Sequence, residues 1–263
     1  MKKPRLAVHK FSSCDGCQLA LLNAGSAILV LSELVEIVHF AEAGAVESID
    51  TQVDIAFVEG SITTPDEVER IKQIRDHSKY LITIGACATA GGIQALRNAV
   101  DAKQWMAHIY ASPDYIETLS TSTPISAHVR VDCEIWGCPV NTGQVVDAIR
   151  SLLSDAVPCI KRDSVCLECK RLGQVCVLIT QNQPCMGPVT QTGCGSLCPS
   201  VGRACYACYG PKENANPTAL GLWFEHLGFS REEIAQRFLH INSQAHAFHQ
   251  AGLYFKGIKI VKE

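Results

Sequence analysis

The amino-acid sequence predicts an α/β domain with a parallel sheet, followed by a smaller, irregular domain that depends on bound metal. Strand-like apolar runs alternate with helical segments over residues 5–153, a pattern that favours a parallel sheet covered by helices on both faces. Residues 156–215 contain much Pro and Gly and few long apolar runs. Eight of the fourteen cysteines in this chain of 263 residues fall within that stretch between Cys166 and Cys208. We therefore predict two domains, 1–155 and 156–263.

Short patterns along the chain define the individual elements. Five runs rich in Val, Ile and Phe are typical of buried strands. They cover residues 5–11, 35–41, 53–59, 80–84 and 129–135. Five helices are predicted, over residues 18–31, 64–77, 142–153, 218–227 and 230–248. The second helix has the clearest start, because Thr64 can cap it, Pro65 fits its first position and Glu67 completes a capping box.

Four cysteines follow predicted strands at the point where each strand ends. Cys14 and Cys17 follow the first strand, Cys87 the fourth and Cys138 the last. Ligands of parallel sheets bind outside the carboxyl ends of the strands, so we expect these thiols to meet at one edge. The turn that holds Cys14 and Cys17 also opens a helix, whose N–H groups would face an anionic cluster. Four thiolates hold one cubane, so one 4Fe-4S cluster is predicted here.

The other candidate ligands lie in the second predicted domain. Eight thiolates in one short segment are the inventory for two further 4Fe-4S clusters. By contiguity, one group is Cys166, Cys169, Cys176 and Cys185, and the other is Cys194, Cys198, Cys205 and Cys208. Exchange of a cysteine between the groups stays open, because two-cluster domains often cross-ligate. This segment could hardly build a core by burial alone, and metal ligation can supply the missing folding free energy. Three clusters in one chain predict electron transfer.

Composition limits the class of protein. The net charge of −3 gives no indication of a nucleic-acid surface, and no apolar run reaches the length of a membrane span. Residues 1–5 lead directly into a strand-like run, without an apolar signal region or a twin-arginine motif. We therefore expect a cytoplasmic protein, in which thiols stay reduced and Cys-x2-Cys pairs favour metal over disulfides. Zinc remains the competing metal, above all in the second domain.

Several other residues have a structural and a functional interpretation. Cys133 and Cys159 are expected to be buried structural thiols. Glu59 can orient the cluster loops or contact a partner, or it can be an ordinary carboxylate at the end of a strand. Four histidines are expected to be solvated or capping rather than a metal set: His226, His240, His246 and His249. No Ser-His-Asp or paired-carboxylate arrangement stands out, so no catalytic residue is predicted in this chain.

These motifs together resemble the small, electron-transferring subunit of NiFe hydrogenases. The resemblance extends over roughly residues 5–215. Within the family, the chain is similar to the cytosolic branch linked to NAD(P) or F420, which includes sulfhydrogenase delta-like subunits. The matching pieces are Ser13-Cys14-Asp15-Gly16-Cys17, Glu59-Gly60-Ser61-Ile62, Gly85-Ala86-Cys87-Ala88-Thr89-Ala90-Gly91-Gly92, Gly137-Cys138-Pro139, Cys166-Leu167-Glu168-Cys169-Lys170-Arg171 and Cys185-Met186-Gly187-Pro188.

The resemblance implies a flavodoxin-like first domain that holds the proximal 4Fe-4S cluster on Cys14, Cys17, Cys87 and Cys138. It also implies a separate large subunit with the Ni–Fe catalytic centre, and flavin or iron–sulfur subunits that accept the electrons. The chain departs from periplasmic members, because Cys166 stands where they place a histidine ligand. Its eight downstream cysteines also suggest two 4Fe-4S clusters, where many periplasmic members have one 3Fe-4S centre.

Three alternatives remain at this stage. A complex I-type cluster subunit would share the fold, but that family shows a tandem Cys-Cys in place of the spaced pair Cys14 and Cys17, and it lacks the C-terminal cysteines. A zinc-stabilised binding module would use the same thiols without redox work. A standalone ferredoxin-like carrier would not need so elaborate a first domain.

Overall fold

A computed structural model describes residues 3–258 of the chain. They form two compact units, Met1–Cys159 and Ile160–Glu263. The sequence places this boundary slightly earlier, after residue 155.

The first unit is built on a five-stranded sheet. The strands are β1 (Arg5–Lys10), β2 (Glu36–Phe40), β3 (Val53–Glu59), β4 (Ser78–Ile84) and β5 (Cys133–Ile135). All four pairings are parallel and the strand order is β2-β1-β3-β4-β5. This is the flavodoxin-like order, whose switch point lies between β1 and β3. The predicted α/β fold class with a flavodoxin-like parallel sheet is therefore confirmed.

Six α-helices belong to this unit. They are α1 (Gly16–Leu22), α2 (Ser26–Leu34), α3 (Pro65–Asp76), α4 (Gly85–Ala90), α5 (Ala102–Ile109) and α6 (Thr142–Leu153). On one face of the sheet, Ala56 and Leu81 pack in a buried cluster with Ile71 of α3. On the other face, Val8 and Phe57 line an apolar space together with residues of α1, α2 and α6. Both faces are covered, which explains why β3 is apolar almost throughout.

The capping box predicted at α3 is present. The Thr64 hydroxyl accepts the N–H of Glu67 at 3.3 Å, and the Glu67 carboxylate accepts the N–H of Thr64 at 3.2 Å. The helix expected over residues 18–31 is instead two helices, because Gly25 between them takes a positive φ of 59° that interrupts helical geometry. In the described part of the chain no single helix is long and apolar enough to span a membrane. Only α1 and α2, bent by 86°, pass that test as a pair, on length and composition alone.

The last predicted strand is shorter than expected. It starts at Cys133 rather than at residue 129. One rung earlier the Asp132 carboxylate, not a backbone carbonyl, accepts the N–H of Leu81 at 2.8 Å. The backbone N–H of Asp132 still donates to the Leu81 carbonyl at 2.9 Å, so a side chain replaces one of the two backbone partners where the regular pairing ends.

The second unit starts with short helices and ends with a helical bundle. The short helices are α7 (Val165–Arg171), α8 (Val177–Thr180) and α9 (Leu197–Ser200), and the later ones are α10 (Pro217–His226), α11 (Arg231–Phe238) and α12 (His246–Phe255). The Phe238 ring centroid lies 5.9 Å from Phe248 and 6.1 Å from Phe255, so an aromatic core joins α11 and α12. The helix expected over 230–248 is divided, because buried Asn242 in the connection donates its amide to the Ala207 carbonyl at 2.7 Å.

Candidate iron–sulfur cluster sites

The structure brings the four N-terminal cysteines together at the carboxyl edge of the sheet. Cys14 lies on the turn from β1 into α1, and Cys17 lies in the first turn of α1. Cys87 lies in α4 after β4, and Cys138 follows β5. Burial first, and then the charges of Glu59, Cys87 and Cys138, raise the pKa of Cys17. Burial, Cys138 and Cys14 raise the pKa of Cys87 to about 12. Cys17 is thus influenced by Cys87 and Cys138, and Cys87 by Cys138 and Cys14, as expected for side chains that share one site.

Two glycines make room for these sulfurs. Gly85 and Gly92 have φ angles of 85° and 59°, which favour glycine. A Cβ on Gly85 would collide with the Cys17 sulfur, and a Cβ on Gly92 would collide with the sulfur and Cα of Cys87. The sequence pattern of glycines beside cysteines therefore reflects close approach of backbone to sulfur.

Backbone donors also reach this site. The N–H of Val140 donates to the Cys17 sulfur at 3.4 Å, and the backbone of Ile93 bonds to Cys87, which opposes the rise in its pKa. Such N–H···S bonds stabilise negative charge on sulfur and are one of the levers that set cluster potentials. The four thiols, the glycine cradle and these donors fit a cubane bound by four thiolates.

Glu59 holds the turn that carries Cys17. Its carboxylate is 2% exposed and accepts the N–H of Cys17 at 3.0 Å and the N–H of Gln18 at 3.2 Å. Burial raises the pKa of Glu59, while the two backbone donors oppose that shift. Of the interpretations left open by the sequence, the structure favours the one in which Glu59 orients a cluster loop.

The first group of C-terminal cysteines lines one small cavity. Cys166 and Cys169 lie on α7, Cys176 immediately precedes α8, and Cys185 lies on the following loop; all four line the cavity. Burial, and then the charges of Cys185, Cys169 and Cys176, raise the pKa of Cys166. A Cβ on Gly187 would lie 3.4 Å from the sulfurs of both Cys166 and Cys185, so this loop also runs close to the thiols.

The second group forms two neighbouring pairs. Cys194 interacts with Cys198, which lies on α9. Cys205 is buried, and burial together with Cys185 and Cys208 raises its pKa. The N–H of Cys205 also donates to the Cys185 sulfur at 3.2 Å. Cys185 therefore lies beside thiols of both groups, which is where an exchange of ligands would occur.

Glu168 is a residue that the sequence reasoning missed. It stands between Cys166 and Cys169, and its carboxylate accepts the N–H of Gly193 at 2.9 Å and the N–H of Ser196 at 3.1 Å. These two donors flank Cys194, so Glu168 links the segments of the two cysteine groups. Its position inside a Cys-x2-Cys motif was the available signal.

Other candidates lie apart from these sites. Cys159 is exposed and Cys133 half-buried, so the expectation of buried structural thiols is wrong for Cys159. His226 is exposed at the end of α10, and His240 is exposed just after the end of α11. His249 bonds through Nδ1 to the Ser243 carbonyl at 2.9 Å. His246 is exposed as well. Within residues 3–258, no group of three or more His, Cys, Asp or Glu side chains is arranged to hold a single metal ion.

Substitution of Glu59 tests its positioning role. We expect Glu59→Ala to lose the N-terminal cluster, because the N–H groups that its carboxylate accepts would be unpaired. Glu59→Gln should retain the cluster and raise its potential, because one nearby negative charge is removed. Iron content and redox titration measure both effects. The control is Glu69→Gln, which replaces an exposed carboxylate on α3. Unchanged iron content and cluster potential in both Glu59 variants would contradict the positioning role of Glu59.

Comparison with known proteins identifies the family. The family described as NADH ubiquinone oxidoreductase, 20 Kd subunit, matches residues 14–152. Sulfhydrogenase 2 subunit delta of Pyrococcus furiosus is 34% identical over 212 residues, which cover 81% of this chain and 88% of that protein. A vhu subunit of the F420-non-reducing hydrogenase of Methanocaldococcus jannaschii is 28% identical over 239 residues, covering 80% of this chain and 83% of that protein.

Solved structures share the fold. A chain of the reduced, active Ni-Fe-Se hydrogenase from Desulfomicrobium baculatum superposes with a TM-score of 0.58 at 17% identity, over 81% of this chain and 96% of that one. At this identity the likeness shows the shared fold. The chain belongs to the family of the NADH ubiquinone oxidoreductase 20 Kd subunit and, within it, to the small subunits of NiFe hydrogenases.

Proposed function

We propose that this subunit carries electrons through three 4Fe-4S clusters between the Ni–Fe centre of a hydrogenase large subunit and a redox partner. The observation that carries the proposal is the convergence of four cysteines, from three separate strand ends, at one edge of a flavodoxin-like sheet. Cysteines buried only for packing have no reason to collect at a single edge. Hydrogen is split in the large subunit, so this chain contributes conduction rather than catalysis.

Twelve cysteines are proposed as ligands. The proximal cluster is assigned to Cys14, Cys17, Cys87 and Cys138, one further cluster to Cys166, Cys169, Cys176 and Cys185, and the other to Cys194, Cys198, Cys205 and Cys208. When bound, the clusters supply one-electron carriers. The chain holds the thiols apart, donates N–H groups to sulfur and shields Cys17 and Cys205 from water.

Iron–sulfur clusters fit these sites better than zinc. A zinc ion needs four ligands about 2.0–2.3 Å from one point, and the described thiols do not converge on a single-ion site. The thiols of a cubane each bind a different iron, so they stand further apart. A complex I-type role fits less well, because that family's tandem cysteines are absent and the C-terminal eight would have no purpose.

We further propose that the electrons pass to a flavin or iron–sulfur subunit that reduces NAD(P) or a similar carrier in the cytoplasm. A reducing compartment keeps cysteine thiols reduced and available as ligands. The direction of flow reverses with the potential of the acceptor. Ligand type, hydrogen bonds to sulfur and burial are the properties by which the protein sets the cluster potentials.

An apolar surface beside the proximal site is proposed to bind the large subunit. It consists of residues 93–116, which follow Gly92 and the Cys87 loop. Helix α5 within it has no buried residue, although it carries Trp105 and Ile109, and Tyr115 is 91% exposed. Aromatic and aliphatic side chains left in solvent are typical of an interface core. A permanent complex would cover them and exclude water from the transfer path.

The double variant Trp105→Ser/Ile109→Ser tests this surface. We expect the nickel that co-purifies with this chain to fall roughly tenfold or more, since buried aromatic anchors dominate binding free energy. Iron per copy of this chain should not change. Leu29→Ser/Val46→Ser, which removes exposed apolar side chains elsewhere in the same unit, is the matched control. Equal nickel retention in the two double variants would rule out residues 93–116 as the binding surface.

Cys87→Ala tests the proximal ligand set. The native protein, purified without oxygen, should contain about twelve iron and twelve sulfide per copy of this chain, beyond the content of its partners, and the variant about eight of each. Hydrogen oxidation with any acceptor should be abolished, because electrons enter at the proximal cluster. Cys159→Ala, at an exposed thiol outside the proposed sets, should retain iron and activity. Full activity in Cys87→Ala, or zinc without sulfide in the native protein, would contradict the proposal.

Cys205→Ala tests the order of the clusters. We expect hydrogen still to reduce the proximal cluster of this variant, while electron delivery to the soluble acceptor falls, because the variant lacks only a C-terminal ligand. Low-temperature EPR of the hydrogen-reduced complex, paired with acceptor assays, separates the two effects. Loss of hydrogen-driven reduction at every cluster would show that the linear order is wrong.

A further inference from the structure

The outer surface of the first C-terminal cysteine group carries exposed aliphatic side chains and two cations. Ligation of a cluster requires neither. We propose that it is the docking face for an acidic electron-carrier protein. The face is defined by Leu167, Lys170, Arg171, Leu172, Val175 and Ile179. The proposal rests on the proposed electron-transfer function, to which it adds the exit point and the chemistry of the partner.

The thiol cavity lies directly beneath this face. Lys170 and Val175 line the same cavity as Cys166, Cys169 and Cys176, and both are exposed to solvent. One layer of side chains therefore separates this cysteine group from the outside. A redox partner seated here would approach a cluster held by these thiols through a single shell of protein.

The face is apolar where a solvated surface would be polar. Val175 is 66% exposed, Ile179 65% and Leu172 56%. They fall on the helices and turns that carry the cysteines, within a stretch of thirteen residues from 167 to 179. Aliphatic groups that are brought together in this way mark an interaction surface.

Its charge indicates the kind of partner. Lys170 and Arg171 are exposed, and among the described residues neither forms an ion pair. The nearby acidic residue Glu168 has its carboxylate engaged by the N–H groups of Gly193 and Ser196. A basic rim around an apolar centre complements an acidic protein and disfavours a second copy of the same face.

The cysteine-bearing segment as a whole has the same bias. Residues 160–212 contain six basic residues and two acidic ones, a net charge of +4, whereas the whole chain has −3. The basic residues are Lys161, Arg162, Lys170, Arg171, Arg203 and Lys212, and the acidic ones are Asp163 and Glu168. A field of this sign would attract an acidic carrier before contact and raise its association rate.

Electron delivery by the intact native complex to two probe proteins tests the proposal. The probes are an acidic [2Fe-2S] ferredoxin and basic cytochrome c, with hydrogen as reductant. We expect the second-order rate for ferredoxin to fall about tenfold or more as salt rises from about 20 mM to about 300 mM, because screening weakens steering. Lys170→Glu/Arg171→Glu should lower the ferredoxin rate at low salt by about tenfold and raise that for cytochrome c.

Matched variants distinguish the effects of charge and of apolar contact on the ferredoxin rate from a general loss of structure or activity. Lys79→Glu/Lys256→Glu reverses two exposed cations outside residues 160–212 and should change the ferredoxin rate less than about twofold. Leu172→Ser/Ile179→Ser, at exposed positions outside the cavity lining, should slow ferredoxin reduction at high salt, where apolar contact dominates.

The outcomes that overturn the proposal differ from those that overturn the proposed function. Optical bleaching of the complex's own clusters by hydrogen, in native protein and in each variant, reports electron entry. Absence of bleaching in the native complex would contradict the electron-transfer function. Bleaching with equal ferredoxin rates in the Lys170/Arg171 variant and its control would overturn the docking face alone. Binding to anionic lipid vesicles that needs Lys170 and Arg171, with unchanged ferredoxin rates, would overturn it in favour of a membrane surface.

Discussion

Parallel pairing of the strands is the constraint on which the N-terminal site depends. Leu6 pairs with Ile55, Ile55 with Tyr80, and Ile82 with Cys133, all in the same direction. Each strand therefore delivers the residues that follow it to the same edge, whatever their separation in sequence. Three strand ends supply Cys14 and Cys17, Cys87, and Cys138, and a fourth ends at Glu59. The apolar faces that stabilise the sheet thus also gather the polar and sulfur-bearing groups.

Both units secure a cysteine loop with a carboxylate. Glu59 binds the N–H groups of Cys17 and Gln18, and Glu168 binds those of Gly193 and Ser196. Removing a carboxylate from water costs free energy unless donors replace the lost hydration. Two backbone donors offset that cost and fix the turn at the same time. A carboxylate close to thiolates is electrostatically unfavourable, because like charges repel each other. We therefore infer that each carboxylate is present because it positions the loop.

Local signals predicted much of the fold, and tertiary contacts decided the rest. The bounds of β3 and α6 agree with the sequence pattern. The unbroken apolar run of β3 is typical of a buried strand, and the strong helical period of α6 is typical of an amphipathic helix. The break at Gly25 depends on a single φ angle, and the short β5 depends on the side chain of Asp132, so periodicity predicts neither. Because parallel strands share one carboxyl edge, the sequence predicted which thiols meet near Cys17. The Glu168 carboxylate binds a backbone N–H group 25 residues later in the chain. The spacing of the cysteines does not predict that hydrogen bond.

Burial of the thiols couples assembly of the sites to proton release. Burial is the largest cause that raises the pKa of Cys17, Cys87, Cys138 and Cys205. Without metal these groups are therefore protonated at neutral pH, and each must lose its proton to become a ligand. A lower pH opposes that loss, so ligation weakens as the solution becomes more acidic. In the C-terminal unit this matters for folding as well, because residues 160–212 bury few large apolar side chains. On the proposed ligand assignment, metal ligation there would contribute folding free energy that burial does not supply to the cysteine loops.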